Sequence, residues 1–177
     1  VAALSCDPSL PVDALVSLAG NVWIKELEPG RWMWFLKRTL SESWMAVSRL
    51  SGRFPTRFLR MGTDDEALDY VRQMTGFSRS GTWGSLDGRW NYLERMRQIR
   101  VPILSLVGEA DTWMCRPESP RFWLAHAANA DVSHRLVGER SGDPSGVDHM
   151  GLVLRTDMAP VWDETIAWIR QAVNAES

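Results

Sequence analysis

The chain has 177 residues, a length that suits one compact domain. Lys and Arg total 20 against 22 Asp and Glu, and the resulting formal charge of -2 argues against a dedicated nucleic-acid binder. Hydrophobic residues at 45% and charged residues at 24% exclude a disordered chain. No apolar run approaches the roughly 18 residues that a membrane span needs. Cys6 and Cys115 are too few for a disulfide framework and read as reduced thiols in a cytoplasmic setting.

In chain order, Val1-Ala2-Ala3-Leu4 reads as the inside of a helix, with no basic region leading into an apolar one. Such a beginning suggests the later part of a longer protein. Val12 to Leu18 is an apolar run closed by Ala19-Gly20, which predicts a strand covered on both faces. The next stretch, 21–98, shows no clear strand. Arg31 to Leu50 is helix-like and rich in large apolar residues, including Trp32, Trp34 and Trp44. Thr63-Asp64-Asp65-Glu66 matches a capping box and predicts a helix running to about Met74. A Gly/Ser-rich break covers Ser78 to Gly88, and Arg89 to Arg97 looks helical.

Beyond it, Val101 to Val107, closed by Gly108, predicts a second buried strand. Arg116 to His126 carries prolines near its start, as a helix N-terminus allows. Val132 to Val137, closed by Gly138, is more mixed, as an edge strand would be. Finally, Asp157 to Val173 predicts an amphipathic helix with Asp157 as its cap, Pro160 in its first turn, and a stripe of Val161, Trp162, Thr165, Ile166, Trp168, Ile169 and Val173. Strands alternating with helices point to the α/β class, with a parallel sheet and covering helices.

Two loops could carry chemistry. Gly108-Glu109-Ala110-Asp111 directly follows the second strand, where open α/β sheets place their ligand sites. The alternative is an Asp that simply caps the next helix. Gly146-Val147-Asp148-His149-Met150-Gly151 holds a histidine between glycines before the last helix. A surface-loop histidine is its plain alternative. His126 and His134 have structural explanations, on a surface helix and within a strand. Glu109 is the competing carboxylate, and Asp148 is either a loop-orienting group or a solvated one.

Together these features resemble the α/β-hydrolase superfamily: strand, Gly-x-x-Asp, helix, strand, a loop with His-x-Gly, and a C-terminal helix. The resemblance covers nearly the whole chain. It implies a partial α/β-hydrolase fold. Residues 1–20 would be the end of the post-nucleophile helix and the sixth strand. Residues 21–98 would be a helical cap inserted between the sixth and seventh strands, and 99–177 the C-terminal core. It implies Asp111 as the acid and His149 as the general base of a Ser-Asp-His triad. The chain departs from the family in having no Gly-x-Ser-x-Gly elbow.

The nucleophile and oxyanion-hole donors are therefore expected on a missing N-terminal portion of the same protein, or on a partner chain. This chain alone is expected to be inactive. The implied reaction is hydrolysis of an ester, thioester or amide with an apolar group, on a small-molecule acyl substrate and with no cofactor. Acyl transfer, dehalogenation on the same fold, and a non-catalytic binding domain stay open.

Trp23, Trp32, Trp34, Trp113 and Met150 are candidate substrate-binding residues; the alternative for the indoles is packing. Between residues 31 and 60 the bases are Arg31, Lys37, Arg38, Arg49, Arg53, Arg57 and Arg60, and the only acid is Glu42. A solvated face, an anionic substrate or a membrane surface would each account for them. No ligand spacing for a metal is present.

Overall fold

The computed structural model describes residues 1–60 and 63–175. Met61, Gly62, Glu176 and Ser177, which fall within the expected cap and C-terminal core, lie outside the described residues. The elements are α1 (Ala2–Cys6), β1 (Leu15–Leu18), α2 (Arg31–Ser51), β2 (Arg53–Phe54), β3 (Glu66–Ala67), α3 (Leu68–Ser80), α4 (Tyr92–Arg95), β4 (Ile103–Gly108), α5 (Glu118–Leu124), β5 (Val132–Val137), α6 (Gly151–Leu154) and α7 (Ala159–Ala175). They divide into two compact units, one of residues 1–21 with 94–177 and one of residues 22–93.

The first unit is built on a parallel sheet in the order β1-β4-β5. Leu15 lies opposite Ile103, and Ile103 opposite Val132. β4 is central and buried along its whole length, Ser105 included, in keeping with its nearly continuous apolar run. β5 is only partly buried, in keeping with a position at the sheet's edge. Leu104, Leu106, Val107, Val137, Val147, Leu152, Met158 and Val161 form the core around Cys115. Each such buried aliphatic side chain contributes roughly 1.5–3 kcal/mol.

Several expected boundaries move, each for a local reason. β1 starts at Leu15 because the Val12 amide is used in a turn to the Leu10 carbonyl (2.8 Å), while the Leu15 amide reaches Pro102 on the neighbouring segment (2.9 Å). Asp157 does not cap the last helix. It sits inside a short helical turn, Thr156–Met158, and its carboxylate is taken by Arg155. Ile166, expected in the buried stripe, is 45% exposed, whereas Val161 and Thr165 face inward. Residues 94–98 cluster with the sheet rather than with the helical segment. Arg95 donates to the Ser5 and Cys6 carbonyls at 3.1 and 3.2 Å, and Met96 is fully buried.

The second unit is mainly helical. α2 ends at Gly52, whose φ of 75° lies in the left-handed region that glycine enters without steric cost. It packs on α3 through Met45 and Val71, with Phe54, Trp44 and Leu68 around them. Ser41 and Thr75 join their hydroxyls across this contact at 3.2 Å. Lys37 and Glu28 form a salt bridge of 2.7 Å with both side chains almost wholly buried. Glu42 binds both Arg38 (3.0 Å) and Arg79, linking α2 to α3.

The capping box does not open a helix. Glu66 and Ala67 pair antiparallel with Arg53 and Phe54, giving this unit a small hairpin that the sequence pattern did not reveal. The Thr56 hydroxyl donates to the Asp64 carbonyl, and the Arg57 amide to the Asp65 carboxylate (3.2 Å). These bonds draw residues 64–67 into the hairpin, so α3 starts at Leu68. The helix expected from Arg89 starts only at Tyr92. Before it, the Asp87 carboxylate accepts from the Ser85 hydroxyl and the Arg89 amide, which lowers its pKa to about 2.

Candidate active site

In a parallel sheet all strands deliver their C-terminal ends to one rim. The loops after β4 and β5 meet there because Gly108 has no side chain. A Cβ at that position would stand 2.4 Å from the Val147 carbonyl oxygen and 2.9 Å from that of Asp148. The Ala110 amide bonds the same Val147 carbonyl at 2.9 Å, so the two loops are joined by backbone.

Asp111 follows in a tight turn, its amide donating to the Gly108 carbonyl (3.1 Å). The residue is 3% exposed. Its Oδ1 accepts the amides of Met114 and Cys115, each at 2.9 Å. Its Oδ2 lies 2.8 Å from Nδ1 of His149. A carboxylate can only accept, so the shared proton belongs to Nδ1 and Nε2 is left as the basic nitrogen. The His149 side chain retains 27% exposure.

The histidine loop is folded by its neighbours. Gly146 has φ of 68°, and Val147 is fully buried in the core. Asp148 is not a merely solvated carboxylate: its Oδ1 accepts the Gly151 amide at 2.7 Å, while its carbonyl accepts the Leu152 amide at 3.2 Å. It thus sets the start of α6. A Cβ on Gly151 would come within 2.9 Å of that Oδ1, so a side chain there would displace the Asp148 carboxylate. Arg155 closes the base of the loop on the Ser145 carbonyl (2.6 Å).

Glu109 turns elsewhere. It is paired with Arg140 at 2.8 Å, and its amide bonds the Val137 carbonyl. A polar cavity of about 350 Å3 lies on this side, lined by Glu109, Ala110, Glu139, Arg140 and Gly146. Neither Asp111 nor His149 lines it.

The rim end of β1 is tied to the same region. Ala19 takes a left-handed φ of 44°, and the next carbonyl, that of Gly20, accepts the Trp123 indole N–H at 3.1 Å. The buried Cys115 thiol lies 3.5 Å from the same oxygen.

The structure therefore brings together Asp111 and His149 and separates Glu109 from them. Trp113 is half-buried in the acid loop, and Met150, next to His149, is 51% exposed. The other three candidates belong to the 22–93 unit. Trp23 is buried, with its ring 5.6 Å from that of Trp44 and 5.2 Å from Lys37 Nζ. Trp34 is half-buried, while Trp32 is 72% exposed and stacks on Phe35. The backbone amides that clamp Asp111 were not anticipated, whereas of the two readings of Asp148 the loop-orienting one is met, as a cap on α6. The spacings Asp111 to Met114 and Asp148 to Gly151 are their only signature in the sequence. Among the described residues no cluster of three or more His, Cys, Asp or Glu could hold a metal ion.

No family model and no curated protein matches the chain. Among solved structures it is similar to the BpoC protein of Mycobacterium tuberculosis H37Rv, assigned as a non-heme bromoperoxidase. That match has 17% identity, covers 96% of this chain and 61% of the other, and has a TM-score of 0.45. It is also similar to the thioesterase domain from the curacin biosynthetic pathway, at 15% identity, 98% and 61% coverage, and a TM-score of 0.38. The chain thus spans about three-fifths of the length of either solved chain.

Proposed function

We propose that this chain is the acid-and-histidine part of a serine-type α/β-hydrolase acting on an ester, thioester or amide. The observation that carries the reading is the 2.8 Å contact between Asp111 and His149 at the rim of parallel strands. A carboxylate buried beneath an imidazole and clamped on its second oxygen by two amides is arranged to hold one tautomer and to stabilise the imidazolium. His149 Nε2 then takes the proton of a nucleophilic hydroxyl as it attacks the acyl carbon. It returns that proton to the leaving group, and a water molecule, activated in the same way, releases the acyl group.

The hydroxyl is supplied by polypeptide outside this chain, as are the oxyanion donors. The open edge of β1 supports this. Among the described residues β1 pairs only with β4, so a further strand carrying the nucleophile can extend the sheet on its other side. Trp113 and Met150, in the loops that hold the pair, are the side chains best placed to touch an acyl group. The free thiols Cys6 and Cys115 suit a cytoplasmic location.

The test is turnover of an activated acyl ester by the complete protein with His149→Ala. Loss of turnover with the protein still folded supports the reading, and unchanged turnover removes His149 from the mechanism.

A further inference from the structure

The outward face of α2 has no role in the chemistry above, yet its composition is unusual for a solvated helix. Lys37, Ser41, Met45 and Ser48 are turned inward. The opposite stripe recurs at three- and four-residue spacing through Trp32, Leu36, Thr39, Ser43, Val47 and Leu50, and it carries no charge. Trp32 is 72% exposed, Leu50 90%, and Phe35, stacked beside Trp32, 59%. Arg31, Arg38 and Arg49 run along one flank. The flank's one acid, Glu42, is occupied by Arg38 and Arg79. An uncharged stripe with aromatic and aliphatic residues at both ends, Thr39 and Ser43 between them, and arginines along its border is the pattern of a helix lying in a membrane interface.

We propose that α2 docks on an anionic lipid surface, with Trp32, Phe35, Leu36, Val47 and Leu50 entering the interface and Arg31 and Arg49 meeting lipid phosphates. Charge selects this occupant. A second copy seated antiparallel on the stripe would bring two arginine flanks to the same side, whereas an anionic bilayer neutralises them. The helix lies on the bilayer rather than crossing it, because no helix among the described residues is long and apolar enough to span one. At 21 residues it offers an edge about 31 Å long.

The test uses the complete protein with Leu50→Cys, in a Cys6→Ser background, labelled with an environment-sensitive dye. It is mixed with vesicles of phosphatidylcholine alone or with phosphatidylserine. The expected result is co-sedimentation and a blue shift with the anionic vesicles only, weakened about fivefold by each of Arg31→Gln and Arg49→Gln. Phe35→Gln with Leu50→Gln should abolish co-sedimentation while leaving the helical circular dichroism intact. Equal binding to neutral vesicles, or no binding to either, overturns the proposal. So does a dye already shielded from a soluble quencher without vesicles, which shows that other polypeptide covers the stripe, and so does a dimer that Leu50→Gln dissociates.

Discussion

The carbonyl oxygen of Val147 occupies the space that a side chain on Gly108 would need, 2.4 Å from the position of its Cβ. That approach is what lets the acid loop and the histidine loop share a hydrogen bond at the rim. Gly108→Ala must push one backbone away from the other. Displacing a catalytic group by about 1 Å costs on the order of a hundredfold in rate. Gly108→Ala is therefore expected to lower kcat about a hundredfold with a smaller change in KM, measured on an activated ester with the complete protein.

The two carboxylates of the acid loop should behave oppositely. Glu109 is engaged with Arg140 and stands apart from His149. Glu109→Gln is expected to leave kcat within about threefold and to cost about 0–1 kcal/mol of stability. A loss from Glu109→Gln comparable to that from Asp111→Asn would reassign the acid.

Much of this arrangement was legible in the residues. The run Val101 to Val107 closed by Gly108 marked a buried strand, which starts two residues later at Ile103, and the glycines around His149 marked a special loop. The hairpin of Arg53–Phe54 with Glu66–Ala67 was not legible, because two-residue strands have no periodicity and Thr63 to Glu66 imitates a helix start. Nor could the composition tell that Lys37, counted among seven bases, is buried against Glu28 while Arg31 and Arg49 on the same helix are exposed. Local pattern names the element; long-range pairing decides which charges it buries.

That buried pair makes its own prediction. Among the described residues Glu28 Oε2 has no hydrogen-bond partner, so the carboxylate relies on Lys37. Lys37→Met strands a buried charge and is expected to cost about 3–5 kcal/mol. Adding Glu28→Leu should recover most of the loss. Thermal melts of the two single variants and the double variant measure the coupling.

Acid should loosen the contact between α2 and α3. The hydrogen bond from Arg79, aided by the nearby charges of Arg79, Arg38 and Arg49, lowers the pKa of Glu42. An acid lowered in the folded state binds its proton more readily when unfolded. Its stabilisation is therefore full above the unfolded value, about 4.3, and is lost as pH falls through the folded one. Melting temperature followed from pH 6 downward, an interval set by that reference value, should fall less steeply for Glu42→Gln than for the native chain.

The most direct measurement is steady-state turnover of an activated acyl ester by the complete protein carrying Asp111→Asn. The amide can still meet the ring but presents the wrong charge and favours the wrong tautomer. The account predicts a fall in kcat of about 10⁴ with little change in KM. Turnover within a few-fold of the native protein would contradict it.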